Sequence, residues 1–534
     1  MKFYCYLVFV FLAFFTPLAF GGSEPWGLLV FNATCIIFSL YILFKKHHFC
    51  WTPISKHILI LLGFIIFLAF MQLLNQHNFL QKPAFLPFTL CKYYTLEGLS
   101  WLFSLTLYYF ALTQIIQRSK DIKILALILT ISAVLVSLIG ITWQKGEYIN
   151  LFTGISMYSS FGPFASRNHG SQFVMVSFFI SLLLWLPHFL LDRNHRLPNK
   201  NIWYFTFSII LFFAVFFTHS RGGVIALFLG LFVIFFSNIL FSHKEKLAKT
   251  FYLLLTTLIF GGIMVLIVQH SADIGLREFG TFSDKARLLL YGAAFDMLKD
   301  FPWTGVGFDA FSGAIDAYLK VSLKAFPRYL HNDWLEVLLS FGYIYGTIIF
   351  GYIAYIGYRV IKMFKGLEPK KKVRLSILCG AFAGFAFTAV IDFPFHMPAC
   401  AFLFFCLLVF VSAGTFENTK NFALPLIAKI LTVLLSLFLL WSNMAYFTTW
   451  RSFVFGKKLS PRTRLEYIEK SLKNYPSPIF IRRVLLAKYK IAQSKTLSAE
   501  EKQQARQQAH EMATFYLKIY PKDKEISQFY LLTK

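Results

Sequence analysis

Apolar segments of membrane-spanning length recur along the first 450 or so residues of this 534-residue chain. They are rich in Phe and Leu and show no alternation of polar and apolar residues, so they predict helices rather than a barrel. The sequence therefore predicts an all-α polytopic membrane protein with 12–13 transmembrane helices. The thirteen segments are residues 3–20, 27–44, 57–74, 93–116, 124–143, 171–191, 202–217, 223–241, 250–269, 331–357, 375–391, 398–414 and 424–447.

The first segment, 3–20, has a second interpretation as a secretory signal peptide. Lys2 precedes it, and small residues follow its apolar core near Ala19 and Gly21. We interpret this segment as an uncleaved first helix. The rest of the topology is the same in either case.

Basic residues are distributed unevenly between the two sides of the predicted bundle. With the N-terminus in the cytoplasm, 22 of the 52 Lys and Arg residues fall in or beside short inner loops, and five fall in short outer loops. Short basic loops stay in the cytoplasm, so this ratio predicts the orientation. The long polar loop 270–330, in which we expect short helices, is then outside the cytoplasm. The net charge of +27 is explained by this topology, without nucleic acid as a partner.

The chain divides into a transmembrane domain, residues 1–449, and a polar tail, residues 450–534. The tail has helical patterns at 461–474, 478–492, 498–520 and 523–531, and we predict a soluble, repeat-like helical module. With thirteen helices before it, the tail also lies outside the cytoplasm. Its 18 basic and seven acidic residues are typical either of a solvated bundle or of a surface that docks on anionic lipid, lipopolysaccharide phosphate or a partner.

Five polar patches interrupt the apolar pattern on the outer side. In three of them the arginines Arg167, Arg221 and Arg287 outnumber acids, and the forked guanidinium group suits phosphate oxygens. In the fourth, His331 offers an imidazole suited to proton transfer at neutral pH. The patches are residues 162–170, 219–223, 285–288 with the turn 302–307, 328–336, and 392–398.

The same residues have structural interpretations that the sequence leaves open. The arginines can anchor helices at the membrane interface, and His331 can be a helix-start residue bonded to backbone. Asp333 and Glu336 can be acids of a first helical turn, which the helix dipole favours. Asp392 and His396 are interpreted as structure of the connection between two late helices rather than as chemistry.

We predict no metal and no nucleotide cofactor. His331, Asp333 and Glu336 are spaced i, i+2 and i+5, which is not a recognised metal-ligand pattern. The chain has no phosphate-binding GxxxxGK[ST] sequence. Chemistry on the outer face without a nucleotide implies an energised, lipid-linked donor.

Several motifs, in this order, resemble those of the bacterial O-antigen ligase and polymerase superfamily over roughly residues 150–400. They are Arg167-Asn168-His169, Ser220-Arg221-Gly222-Gly223, Arg287, the turn Pro302–Gly307, and His331-Asn332-Asp333-Trp334-Leu335-Glu336 with Gly342 beyond it. The segment Asp392–Pro398 and the polar tail resemble the branch of this superfamily that has a C-terminal periplasmic region.

The resemblance implies transfer of a glycan from undecaprenyl diphosphate to an acceptor hydroxyl at the periplasmic face of the inner membrane, without metal or nucleotide. Arg221 and Arg287, with Arg167, would bind the diphosphate, and His331 would activate the acceptor. The candidate supporting residues are Asn168, His169, Asn332, Asp333, Glu336, Asp392 and His396.

Three acceptors are open within this reaction: a lipid A-core sugar, which we favour, the growing glycan, and a protein Ser or Thr. From other classes, a transporter or a non-catalytic scaffold are the alternatives. A transporter needs polar residues at mid-membrane. Few charges lie inside the predicted helices, and Glu97 is the clearest of them, which weighs against transport.

Overall fold

The computed structural model describes residues 2–77, 85–144, 146–150, 152–154, 156–191, 199–242, 246–269, 282–319, 327–413, 416–455, 466, 469–470, 472–473, 475–493, 498–519 and 524–533. Each of the thirteen predicted segments contains a helix. The helices are α1 (Lys2–Leu18), α2 (Pro25–Lys45), α3 (Pro53–Leu74), α4 (Lys92–Thr113), α5 (Ser119–Thr142), α6 (Arg167–Phe189), α7 (Asn199–Phe217), α8 (Arg221–Leu240), α9 (Lys246–Gln269), α10 (Phe282–Asp300), α11 (Phe311–Ala314), α12 (Asp333–Met363), α13 (Pro369–Ile391), α14 (Pro398–Ser412), α15 (Leu426–Phe455), α16 (Pro478–Ala492), α17 (Ala499–Ile519) and α18 (Lys524–Thr533).

Within the part of the chain that the structure describes, nine helices are long and apolar enough to cross a membrane, by length and composition. They are α2, α3, α5, α6, α8, α9, α12, α13 and α15. The shorter apolar helices α1, α7 and α14, and α4, which carries Lys92 and Glu97, coincide with the other four predicted segments. The prediction of an all-α polytopic membrane protein is confirmed.

Two short strand pairs, which the sequence pattern does not predict, join loops of the bundle. Strands β1 (Phe49–Trp51) and β4 (Lys420–Phe422) pair antiparallel, with Phe49 opposite Phe422. Strands β2 (Gly146–Ile149) and β3 (Ser156–Ser159) form an antiparallel hairpin. Strands of three or four residues are too short to show a recognisable alternation of polar and apolar residues, so an analysis of periodicity does not detect them.

Helices α6, α8 and α13 form the centre of the bundle and lead to the polar patches. Along α6, 83% of the apolar span is buried. Helices α8 and α13 approach closely at two glycines, because a Cβ at Gly380 would lie 2.5 Å from the Gly230 carbonyl oxygen. Since α6 begins at Arg167, α8 begins at Arg221 and α13 ends at Ile391, this packing brings two predicted arginine motifs beside Asp392.

Groups that the charge distribution assigns to the inner side contact one another. Lys2 Nζ lies 3.0 Å from Asp121 Oδ2, and Arg374 Nη1 donates to Ser119 Oγ at 2.9 Å. These loops are far apart in sequence and share one end of the bundle. The arrangement agrees with the alternation of helices that the charge count assumes.

Helix α12 is broken at Gly342. This residue has φ +65° and ψ −174°, and a Cβ there would lie 2.4 Å from the Trp303 carbonyl oxygen, so a side chain does not fit. The turn 302–307 packs into the break through backbone hydrogen bonds from Tyr343 N to Pro302 O and from Val306 N to Leu339 O. The outer turns of α12, residues 333–341, are thereby bonded to the loop before them.

The long loop carries helices, as predicted: α10, α11 and a 3-10 turn at Ile315–Ala317. The tail helices α16, α17 and α18 pack on one another, close to the predicted patterns at 478–492, 498–520 and 523–531. The predicted helix 461–474 lies largely outside the described residues. Lys524 Nζ donates to the Leu319 carbonyl at 2.6 Å, so the tail meets the loop that precedes His331.

Candidate active site

The starts of α6 and α8 and the end of α13 meet at Asn168. Its side-chain amide donates to Asp392 Oδ2 at 2.8 Å, and its carbonyl oxygen accepts from Ser220 Oγ at 3.0 Å. Ser220 is the N-cap of α8, and its Oγ accepts from Gly223 N. The motifs that contain Arg167 and Arg221 are thus joined to the Asp392 segment by side-chain hydrogen bonds.

His331 is hydrogen bonded to Asp392. The distance from His331 Nδ1 to Asp392 Oδ1 is 3.0 Å, and the side chains are 35% and 2% exposed. Phe393 packs edge-on against the His331 ring at 4.7 Å. A carboxylate beside Nδ1 accepts a hydrogen bond from Nδ1–H, so Nε2 is the nitrogen that can take up a proton from a reactant.

The carboxyl group of Asp392 is held in its ionised form. Burial opposes ionisation, but the neighbouring imidazoles of His169 and His331 outweigh burial and hold the pKa of Asp392 well below its usual range. His169 is itself buried, with Nε2 3.7 Å from Asp392 Oδ1. Asp392 therefore supplies a permanent negative charge beside His331.

Arg287, the third arginine motif, is connected to the His331 segment through Tyr291. The Tyr291 hydroxyl donates to the His331 carbonyl at 2.8 Å, and Arg287 lies one helical turn before Tyr291 on α10, so the two share a face. Burial raises the pKa of Tyr291, Arg287 opposes that rise and Asp392 adds to it. Both charges therefore act on this hydroxyl, which places Arg287 beside the His331 segment.

Comparison with known families identifies the region that carries these motifs. Residues 206–351 match the family model described as O-antigen ligase. This segment is an O-antigen ligase domain. The family resemblance is confirmed over these residues, and the chain is a multi-pass membrane enzyme that contains an O-antigen ligase domain. No curated protein matches the chain.

The O-antigen ligase domain contains Arg221, Arg287 and His331, whereas Asn168 and Asp392 lie outside the matched residues. The hydrogen bonds from Asn168 to Asp392 and from His331 to Asp392 therefore join the matched domain to helices on both sides of it. The site is assembled from a longer stretch of chain than the match covers.

The glycines after Arg221 serve helix packing. A Cβ at Gly222 would lie 2.2 Å from Ile391 Cδ1, and one at Gly223 would lie 1.6 Å from Ser171 Oγ. Glycines beside a candidate anion site can let a ligand approach the backbone closely. In the structure they allow α13 and α6 to pack closely instead, and this packing brings Arg221 to the place where α6, α8 and α13 meet.

The start of α12 contains three of the candidate supporting residues, Asn332, Asp333 and Glu336. Asn332 is its N-cap and accepts from Leu335 N at 2.9 Å. Asp333 and Glu336 are buried on the other side of the segment from Asp392, next to His396. Asp333 Oδ1 lies 3.0 Å from His396 Nδ1, and Glu336 Oε1 lies 3.6 Å from His396 Nε2. Two separate His–carboxylate groups thus lie near the start of α12, His331 with Asp392 and His396 with Asp333 and Glu336.

His396 carries a positive charge at neutral pH. Burial disfavours the charged ring, but the carboxylates of Glu336, Asp333 and Asp309 outweigh burial and raise the pKa of His396 to about 9. Among the described residues, Asp309, Glu336 and His396 have ligand atoms within 4.8 Å of one another, a spacing that can hold a metal ion.

We expect this charge to make stability depend on pH. A folded-state pKa of about 9 against an ordinary value near 6.5 contributes stability that is complete below pH 6.5 and is lost as pH rises through 9. Thermal unfolding of wild type and His396→Gln should differ by on the order of 1–3 kcal/mol at pH 6 and converge by pH 9.5. His48→Gln, at an exposed position, is the control. A difference that does not change with pH would contradict this assignment.

Four residues of the site region are given no role by the sequence, although Arg328 and Phe393 lie within the polar patches 328–336 and 392–398. Tyr291 bonds the His331 backbone, Phe393 packs on the His331 ring, and Asp309 and Arg328 form an ion pair at 3.0 Å. Each lies within a few residues of a motif: Tyr291 follows Arg287 by one turn, and Arg328 precedes His331 by three positions. Helical spacing could have found Tyr291, whereas the other three depend on contacts between distant segments.

A cavity of about 1080 Å³ lies next to the segment that contains His331; Tyr329 and Asp333 line it, whereas His331 and the three arginines do not. Its wall is mostly apolar and comes from α3, α4, α8, α12, α13 and α14, from the outer turns of α12 to the opposite end of the bundle at Phe241 and Phe364. One end is polar and includes Arg328, Glu336 and His396. Its length and apolar wall suit a lipid chain.

Proposed function

We propose that this chain transfers a glycan from undecaprenyl diphosphate to an acceptor hydroxyl, at the periplasmic face of the bacterial inner membrane. The observation that carries the proposal is the hydrogen bond of 3.0 Å between His331 Nδ1 and Asp392 Oδ1, at the junction of the three arginine motifs. A base with an orienting carboxylate beside guanidinium groups suits displacement at a sugar diphosphate.

His331 acts as the general base in this reaction. Asp392 accepts a hydrogen bond from Nδ1–H and orients the ring, so Nε2 takes the proton of the acceptor hydroxyl as its oxygen attacks the anomeric carbon. The bond from that carbon to the bridging phosphate oxygen breaks, and the lipid diphosphate leaves with the electron pair. Attack from the side opposite the leaving group inverts the anomeric configuration.

Arg221, Arg287 and Arg167 bind the diphosphate. Negative charge on the bridging oxygen increases as the glycosidic bond breaks, and guanidinium groups held in place by their helices stabilise it with little reorganisation. The amide end of α8, which follows Ser220, adds backbone N–H groups suited to an anion. The apolar cavity beside the site accommodates the polyprenyl chain, since its wall is formed along the membrane-spanning helices.

The acceptor that we propose is lipid A-core, which makes the reaction O-antigen ligation. The support is the tail, whose 18 basic and seven acidic residues suit a phosphorylated lipopolysaccharide surface. The tail lies on the side of the bundle that carries His331. A protein acceptor or the growing glycan would use the same chemistry at His331.

Deletion of the gene distinguishes these acceptors. Loss of O-antigen from lipopolysaccharide, with accumulation of lipid-linked polymer, is the expected result for ligation. Accumulation of a single lipid-linked repeat would instead assign the chain as a polymerase, and unglycosylated exported proteins would assign it as a protein glycosyltransferase. Complementation by wild type but not by His331→Ala ties the phenotype to the site. Vesicle uptake of glycan without transfer would contradict all three and favour a transporter.

A further inference from the structure

The backbone at His331 needs support from its surroundings. Its φ is +59°, a left-handed conformation that a residue with a side chain adopts only where neighbouring contacts enforce it. The residues around it, 327–332, belong to no helix or strand. The support therefore comes from side chains, such as the Tyr291 hydroxyl on the His331 carbonyl and Glu336 Oε2, which accepts from Leu330 N at 3.1 Å.

Arg328 anchors the beginning of this segment. Its Nη2 donates to Glu97 Oε2 at 3.1 Å and to Asp309 Oδ2 at 3.0 Å. Its Nη1 donates to Ser312 Oγ at 2.9 Å, and its guanidinium carbon lies 4.0 Å from the ring centre of Tyr94. One planar side chain thus joins the segment before His331 to α4, to the loop after the 302–307 turn, and to α11.

The tail completes this network through Tyr475. The Tyr475 hydroxyl donates to Glu97 Oε1 at 3.3 Å and to the Tyr93 carbonyl at 3.1 Å. Its ring packs on Tyr93 and on Tyr446 of α15, and the residue is 2% exposed. Glu97 therefore uses one oxygen for the tail and the other for Arg328, so the two contacts meet on one carboxylate.

We propose that Arg328 and Tyr475 are positioning residues for His331, and that the polar tail is in this way part of the transfer machinery. This inference rests on the proposed role of His331 as the base. A guanidinium that bonds three elements at once fixes the start of a four-residue segment ending at His331. Tyr475 holds Glu97 in the orientation that meets Arg328. Displacement of a reacting group by about 1 Å can cost on the order of 10²-fold in rate.

Two variants test the network in proteoliposomes that contain the full-length protein, undecaprenyl-diphosphate glycan and acceptor. Arg328→Lys keeps the charge but loses the fork, and we expect kcat to fall by about 10–100-fold with little change in the KM for the donor. Tyr475→Phe keeps the ring and removes the hydroxyl, and we expect kcat to fall by roughly 3–10-fold. Because both act through Glu97, the double variant should lose less than the product of the two effects.

The controls separate positioning from loss of folding. Rates are expressed per folded molecule, measured by size-exclusion chromatography and thermal unfolding. Tyr489→Phe in α16 and Arg118→Lys at an exposed position are matched variants that should leave kcat unchanged. If Arg328→Lys does not fold, Tyr475→Phe decides alone. An unchanged kcat for each folded variant, or an effect confined to the KM for the donor, would overturn the proposal.

The experiment distinguishes failure of the positioning proposal from failure of the proposed function. If His331→Ala retains transfer, the base assignment fails and the positioning proposal fails with it. If His331→Ala is inactive while Arg328→Lys and Tyr475→Phe are fully active, the base assignment stands and only the positioning role is overturned.

Discussion

His331→Ala should reduce kcat for glycan transfer by about 10²–10⁴-fold, because no other group bonded to Asp392 has an exposed imidazole nitrogen: His169 is buried. Binding of the lipid-linked donor should be nearly unchanged, since the arginines and the apolar cavity remain. The measurement is single-turnover transfer in proteoliposomes, with donor binding followed separately. Full activity of the variant would remove His331 from the mechanism.

Two further variants sharpen this test. His48→Ala, at an exposed position, is the matched control and should behave as wild type. Asp392→Asn keeps an oxygen that can accept from Nδ1 but removes the charge that stabilises the imidazolium, so it should cost about 10²-fold or more in kcat. If Asp392→Asn were neutral while His331→Ala were inactive, orientation of the ring would have to come from other contacts.

Arg221→Lys and Arg287→Lys should each reduce kcat/KM for the donor by about 10–10³-fold. Lysine keeps a positive charge but cannot present two parallel N–H groups to a phosphate, so the loss measures bidentate binding. Alanine at either position should cost more, because it also leaves the developing charge on the leaving oxygen without a counter-charge. The measurement is the dependence of transfer rate on donor concentration.

Arg118→Lys is the matched control for this series, because Arg118 is exposed and lies among the groups assigned to the opposite side of the bundle. Unchanged kcat/KM for both Arg221→Lys and Arg287→Lys would contradict the diphosphate assignment. A loss confined to one of them would assign the bidentate contact to that residue.

The sequence predicts the helices well, for a physical reason. Helices that face lipid must be apolar and of bilayer length, so each one is visible in its own residues. Polar residues at helix boundaries are costly in the membrane and stand out for that reason. Arg221, Arg287 and His331 are found in this way, and the family match over residues 206–351 contains all three.

Contacts between residues that are far apart in the sequence are harder to predict from local patterns. Asp392 lies 61 positions after His331, and Tyr475 lies 378 positions after Glu97. No local period links such residues, because their distance depends on how whole helices pack. Asp392 is therefore interpreted from the sequence as loop structure, although it bonds His331. Asp333 and Glu336, adjacent in sequence to His331, turn instead toward His396.

The break at Gly342 has a mechanical consequence. The loop 302–307 is bonded to α12 on both sides of the glycine, at Leu339 and at Tyr343, and the longer part of the helix beyond this contact is apolar enough to cross a bilayer. Helices adapt to a thinner or thicker bilayer by changing their tilt, and we expect Gly342 to absorb that tilt. The proposed base then keeps its place as the surrounding lipid composition changes, so transfer should be insensitive to acyl-chain length.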